Sequence, residues 1–523
     1  MKRIEIFDST LRDGAQGEGI SFSVEDKLSI TAALDELGVS YIEAGNPGSN
    51  PKDLEFFTRA TSLRHAKLCA FGSTRRHGIR VEDDKNVRSL EKAATPAVAI
   101  FGKSWDLHVT DVIRTSLEEN IAMIRETIAY FKSHGREVLF DAEHFFDGYA
   151  KNKTYALATL RAACEGGADV LCLCDTSGAT YLTDINAAGM GVCRTFGKRV
   201  AILCHNDTGM AVAGSMIAVD AGATQVQGTL LGIGERCGNA NLATVIANLQ
   251  TKRGFSCVPA EQLTKLTSTV RYVAETANVT LPGDAPYVGG SAFAHKGGMH
   301  IDGVMKLPRS FEHIDPETVG NERRFLLSEV SGRTTVLAAV QRIDPTLTKN
   351  SPEVKAVVAR IKELEFEGYQ FEGAQATVEL LIRKVLGVYK PFFELEQYKI
   401  IGEQPPVGDK SDTAVIRLRA FGKSEISAAQ GDGPVHALDI ALKKALTVFY
   451  PAIKHVRLTD YKVRVMESRS ATASKVRVLI ETTDGTASWT TVGVSPDIIA
   501  ASWIALVDSI EYKLTKDQPQ KQL

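Results

Sequence analysis

Cysteine is scarce in this chain. Its 523 residues hold eight cysteines, none in a Cys-x-x-Cys pair, which excludes a disulfide framework and the familiar thiolate zinc modules as organising principles. Cys172 and Cys174, in "CLC", share one face of a strand within an apolar run and are expected to be buried, reduced thiols. An excess of either charge is also lacking. Lys and Arg total 61 against 63 Asp and Glu, a net charge of −2, so no nucleic-acid or membrane-binding surface is indicated. No apolar run approaches the ~20 residues that span a bilayer. The opening "MKRIEIF" enters a strand pattern at once, without an apolar leader. A cytoplasmic protein is expected. With 44% hydrophobic residues, the chain has ample material for a large core and for two to four domains.

What is present begins with a rhythm. Over the first ~250 residues, short β-rich runs alternate with helical patterns. The runs are "RIEIF", "SYIEAG", "AKLCAFG", "PAVAIFG", "EVLFDAE", "DVLCLCDT", "RVAILCH" and "TQVQGT". Several are nearly continuous in apolar residues, as strands covered on both faces require. Eight such units match a (β/α)8 TIM barrel; the rival, a doubly wound open sheet, lacks an early Gly-x-Gly-x-x-Gly after the first strand. The expected division is a barrel domain over 1–265, a mostly helical middle over 266–385 and an α+β domain over 386–523. That last part holds a weak repeat, with two strand patterns leading through a glycine-containing turn to an amphipathic helix, and Pro434 and Pro496 near the helix starts. Leu438, Ala441, Leu442 and Ala445 form an apolar face at helical spacing.

The working end of a barrel lies beyond the carboxyl ends of its strands. There the sequence puts Arg12-Asp13, Glu143-His144, Asp175-Thr176, His205-Asn206-Asp207 and "GIGERCGNAN". Each has an ordinary alternative, because carboxylates and hydroxyls cap helices and glycines turn corners. Together, a carboxylate, an imidazole and an amide on one rim suit a divalent cation with mixed oxygen and nitrogen ligands.

Three segments carry a more specific resemblance: "DSTLRDGAQ" (Asp8–Gln16), "CHNDTGMAVA" (Cys204–Ala213) and "GERCGNANL" (Gly234–Leu242). They resemble signature segments of the family of isopropylmalate, homocitrate and citramalate synthases. "NPGSNPKD", "DAEHFFDGYAKN", "SAFAHKGGMHIDGV", "AAQGDGPVHALDIALKKAL" and "HVRLTDYKVRV" are most similar to the citramalate branch. The similarity runs over nearly the whole chain. It implies condensation of acetyl-CoA with pyruvate and water to (R)-citramalate and CoA, in isoleucine biosynthesis, by an acyltransferase that needs a divalent cation (Mg2+ or Mn2+ ahead of Zn2+). It also implies a homodimer whose terminal domain senses isoleucine or a related amino acid.

Carried over residue by residue, Asp13, His205 and Asn239 are metal-site residues, with Asn239 either a direct ligand or one step removed. Arg12 stabilises the developing alkoxide, and Gln16 and Thr176 position substrates. Glu143 holds the metal-water shell or the acetyl thioester, and Glu235 supports a general base. His300 is an acid/base candidate, serving its own barrel or a partner's, with a loop-stabilising role as its alternative. Asp432, Gly433 and Gly493 are candidates for the effector pocket, with turn chemistry as theirs. One departure stands out. The family pattern is His-x-His-Asn-Asp, whereas this chain reads Leu203-Cys204-His205, so one imidazole is missing. Cys204 points away from His205 by the period of a strand and cannot replace it without a bulge. Phe71, Phe101 and His144, near strand ends, are candidates for restricting the oxo-acid pocket. The rival functions are isopropylmalate or homocitrate synthase, and a non-catalytic amino-acid-sensing homologue in which Leu203 marks a lost metal site.

Overall fold

The computed structural model describes residues 2–60, 62–326, 333–402, 411–466 and 474–517. It resolves into two compact units: Met1–Phe293 with His313–Arg323, and Ala294–Glu312 with Arg324–Leu523. The barrel-containing unit thus runs past the expected boundary at 265.

In the first unit, eight parallel strands close into a barrel. They are β1 (Glu5–Asp8), β2 (Tyr41–Glu43), β3 (Lys67–Ser73), β4 (Ala97–Lys103), β5 (Glu137–Glu143), β6 (Val170–Asp175), β7 (Arg199–Cys204) and β8 (Gln225–Gly228). β8 pairs in parallel with β1, closing the ring. Strand alternation sorts the side chains. On β7, Ala201 and Leu203 join Phe7, Tyr41 and Leu139 inside the barrel, while Val200, Ile202 and Cys204 face the helical layer. The helices start where local chemistry allows. Ser23 and Asp26 form a reciprocal capping box at helix Val24–Leu37, satisfying donors that the first turn leaves open. Among the described residues, no helix is long and apolar enough to cross a membrane.

The second unit opens with short helices, and its helices Arg333–Gln341, Pro352–Phe366 and Gln375–Val385 share one apolar cluster. Two three-stranded antiparallel sheets follow. One comprises Glu394–Gly402, Asp412–Ala420 and Lys423–Gly431; the other comprises Arg457–Val465, Val476–Thr483 and Ser488–Ser495. Each is followed by a helix, Pro434–Thr447 and Ile498–Asp517 respectively. Leu438, Ala441, Leu442 and Ala445 are fully buried in the shared core, as their spacing predicts.

Two expectations need correction. Each repeat carries three strands rather than two: Glu394–Gly402 and Arg457–Val465 are edge strands with no fully buried residue, only Leu395, Tyr398, Ile400 and Leu458 leaning onto the core, so their apolar signal is weak. Pro496 does not start its helix: the following Asp497 accepts the Ile499 N–H at 2.8 Å as a side-chain cap, and the helix begins at Ile498.

Candidate active site

The first turn beyond β1 builds the centre of the site. Asp8 accepts from the backbone N–H and hydroxyl of Thr10 at 2.9 and 3.0 Å, tightening the turn. Leu230 N–H donates to Thr10 Oγ1 at 2.9 Å, tying this loop to the one after β8. Arg12 and Asp13 are thereby fixed over the barrel mouth. Arg12 Nε donates to Glu43 Oε2 at 2.6 Å and Nη1 to Asp13 Oδ2 at 3.1 Å. Its guanidinium carbon lies 3.8 Å from the centre of the Phe71 ring, which stacks on Phe101 at 5.0 Å.

Asp13, Asn239 and His205 converge. Asn239 Nδ2 donates to Asp13 Oδ1 at 3.0 Å, and His205 Nε2 lies 3.9 Å from Asp13 Oδ2. The backbone enforces this meeting: Asn206 N–H donates to Gly238 O at 2.9 Å and Ala240 N–H to Cys204 O at 3.0 Å, pinning "GERCGNAN" along the end of β7. Gly234 is required here. It has φ of +156°, and a Cβ would sit 2.3 Å from Asn239 Nδ2 and 3.1 Å from Asp13 Oδ1.

The electrostatics follow from burial and pairing. Burial works to raise the Asp13 carboxyl, but Arg12, then His205 and Asn239, hold it below its ordinary value. Burial lowers the His205 imidazole, with Asp13 opposing, which favours the neutral ring needed for a ligand. Glu43 is raised by burial despite Arg12. Asn239 Oδ1, His205 Nδ1 and Glu43 Oε1 are buried with no hydrogen-bond partner among the described residues. A carboxylate, an imidazole and an unpartnered amide oxygen at one point fit a divalent cation.

The remaining candidates are spread around this centre. Glu143 takes an ion pair from Lys103 at 2.5 Å. Thr176 Oγ1 accepts the His144 N–H at 2.9 Å, and His144 Nδ1 meets Asp147 Oδ2 at 2.8 Å. Gln16 lines a cavity of about 320 Å³ with Arg12, Ser21, Asn46 and Lys52. Glu235 is exposed beside Arg236 at 3.6 Å. Arg236, instead, grips Asp207 at 2.8 Å and the Thr176 carbonyl at 2.7 Å.

His300 belongs to the second unit, on helix Gly298–Lys306, where its ring stacks on Phe311 at 4.4 Å. Asp432 pairs with His436 at 3.1 Å, and among the described residues nothing lies within 4 Å of a Cβ built at Gly433. Gly493 has a packing reason: a Cβ there would lie 2.0 Å from the Ala501 carbonyl. Leu203 points into the barrel within its apolar cluster and offers no donor. Cys204 faces outward into the helical layer, as strand alternation requires. Sequence reasoning passed over Glu43, although a carboxylate closing the strand "YIE" is the same signal that marked Glu143.

Comparison with known proteins is decisive for the family. Residues 3–273 match the HMGL-like family, 287–368 the homocitrate synthase post-HMGL domain-like family and 372–514 the LeuA allosteric (dimerisation) domain. The (R)-citramalate synthase of Aquifex aeolicus is 51% identical over 523 residues, covering 99% of each chain. The chain belongs to the citramalate synthase branch of the HMGL-like family. The Synechocystis (R)-citramalate synthase is 47% identical over 97% of this chain and 96% of its own. A probable 2-isopropylmalate synthase of Methanopyrus kandleri is more distant within the family, at 32% over 97% of this chain and 98% of its own.

Proposed function

We propose that this acyltransferase condenses acetyl-CoA with pyruvate and water to give (R)-citramalate and CoA, as a homodimer feedback-regulated by isoleucine. End-to-end similarity to (R)-citramalate synthases, through both barrel and terminal domain, is the observation that carries this reading. Asp13, His205 and Asn239 would hold the divalent cation, with Mg2+ or Mn2+ suiting the oxygen-rich set, and a bound cation would polarise the pyruvate ketone.

The chain's own groups do the rest. A base takes a proton from the acetyl methyl group, and the methyl carbon bonds to the ketone carbon. Arg12 faces the negative charge gathering on the former ketone oxygen, and its own positive charge is secured by Glu43 and Asp13. The oxygen takes up a proton, and water cleaves the thioester to leave a carboxylate and the CoA thiol. By the family resemblance Glu143 holds the metal-water shell or the acetyl thioester, Glu235 supports a general base, and His300 is the acid/base candidate, for its own barrel or a partner's. Phe71 and Phe101, stacked beside Arg12, leave room for the methyl group of pyruvate. Thr176 and Gln16 orient the two substrates, and the cavity beside Gln16 receives part of acetyl-CoA. Asp432, Gly433 and Gly493 are assigned to the effector region.

Leu203 favours one alternative, a sensing homologue without turnover, since it removes an imidazole from the rim. CoA release from acetyl-CoA with pyruvate, 2-oxoisovalerate or 2-oxoglutarate, with Mg2+, Mn2+ or EDTA, separates the readings. Pyruvate-dependent, EDTA-sensitive release is expected from the parent protein, and a faster rate from Leu203→His. Silence of both proteins with every oxo acid would establish the sensor; preference for a larger oxo acid would reassign the substrate.

A further inference from the structure

Below the rim, the barrel interior holds a second donor set that the sequence does not reveal, because it spans two strands. Asp141 on β5 is the register partner of Cys172 on β6, and Cys174 follows two residues later on the same inward face. One oxygen of Asp141 and the two sulfurs all lie within 4.8 Å of one another. All three residues are buried: Asp141 is 3% exposed, Cys172 0% and Cys174 2%.

Two observations make this group a candidate donor set. The Cys174 thiol donates to Cys172 Sγ at 3.9 Å, so the sulfurs are unbonded, well beyond the ~2.05 Å of a disulfide, and already at a spacing a metal could bridge. Two sulfurs each ~2.3 Å from a tetrahedral zinc ion are themselves ~3.8 Å apart. The second is Asp141. Among the described residues its Oδ2 is buried without a hydrogen-bond partner within ordinary geometry, Oδ1 has a long contact of 3.4 Å from Gln227 Nε2, and the neighbouring Cys172 thiol interacts with the same carboxyl, which burial pushes up to about 7. An unsatisfied buried carboxylate oxygen is energetically unfavourable, and a bound cation satisfies it.

We propose that Asp141, Cys172 and Cys174 bind a borderline-soft divalent cation, Zn2+ above all, one side-chain layer below the Asp13–His205–Asn239 set. The layering follows from strand alternation. Cys174 is the register partner of Leu203, and His205 stands two residues beyond Leu203 on the same face. Two thiolates make this set softer than the rim, so the two sites select different metals. Binding displaces both thiol protons into solvent and leaves one tetrahedral position open. The cation would join β5 to β6 from inside and make the barrel more resistant to unfolding.

Cobalt(II) is the probe, because cobalt bound to thiolate absorbs in the near ultraviolet and cobalt bound only to oxygen and nitrogen does not. Protein kept reduced and stripped with chelator is saturated with Mg2+ to occupy the rim, then titrated with Co2+. A near-ultraviolet band is expected in the parent and in Asp13→Asn. It should be bleached by Zn2+ and lost in the double variant Cys172→Ser/Cys174→Ser. Absence of the band in the folded parent, or its survival in the folded double variant, overturns the site. Should the double variant not fold, Cys172→Ala and Cys174→Ala are read separately: each must weaken the band, and an unchanged band in either overturns the proposal. Thermal melts of the parent with and without Zn2+ add a readout independent of colour, with a rise in Tm expected and an unchanged Tm counting against the site.

Discussion

The two compact units bury charge in different ways. The barrel unit gathers Asp8, Asp13, Glu43 and Asp141 near the carboxyl ends of its strands, almost wholly out of solvent, with Arg12 the cation that holds two of them. The second unit has a conventional apolar core of Leu438, Leu442, Ile480 and Leu506, while Ile401, Ile426, Val463 and Val465 stand exposed on its sheets. Carboxylates crowded under one guanidinium serve chemistry at some expense of stability. Apolar residues presented on sheet surfaces serve association. The rim charges and the exposed apolar sheet faces thus sit in different units, and the two halves should fail differently.

Removing the rim carboxylate gives the largest effect. Asp13→Asn should lower CoA release on the order of 10³-fold, comparable to deletion of a principal electrostatic stabiliser, with the far-ultraviolet spectrum and Tm close to the parent's. Equal losses of activity and fold would merge the two halves.

The converse change is Leu442→Ala, in the helix that covers the first sheet. It should destabilise the second unit by about 3 kcal/mol, lowering the first denaturant transition and the dimer fraction in sedimentation. Per-barrel turnover of the protein that remains folded should change little.

The smallest of the three concerns Glu511, at 1% exposure within helix Ile498–Asp517. Burial raises its carboxyl from 4.5 to about 7, although Phe392 N–H donates to it. The folded state therefore binds a proton that the unfolded state has already released between these values. Stability is fully present below pH 4.5 and is lost as pH rises through 7. Glu511→Gln should flatten that loss and stabilise the protein by on the order of 2 kcal/mol at pH 8. An unchanged difference between pH 5 and pH 8 unfolding curves would mean that the carboxyl is ionised throughout.

The barrel was legible in the sequence because strands buried on both faces must be continuously apolar, and because chemistry concentrates where such strands end. That logic led to Arg12, Asp13, His205 and the segment holding Asn239, the family resemblance picked out Asn239 itself, and the four side chains do meet. The strands Glu394–Gly402 and Arg457–Val465 were not legible, since none of their residues is fully buried and only a few, such as Tyr398 and Leu458, lean onto the core, leaving a weak burial signal. Asp141 was missed for a different reason. Its relation to Cys172 is set by the register of two adjacent strands, a property of the closed ring that no local pattern records. Arg236 was masked by its neighbour: "GERC" draws attention to Glu235, yet a left-handed φ of +57° at Arg236 accompanies the turn in which the arginine, not the acid, grips Asp207.

Gly234 has a consequence for how this protein tolerates change. Space for a side chain is absent there because Asp13 and Asn239 close over it, and the loop that carries it is held by backbone hydrogen bonds on either side. An alanine would act as a wedge, parting the carboxylate from the amide while leaving the barrel core untouched. In a population of variants, position 234 is therefore a silent breaking point: Gly234→Ala is expected to leave the barrel core and the expression of the chain intact while parting Asp13 from Asn239 and with them the proposed cation site.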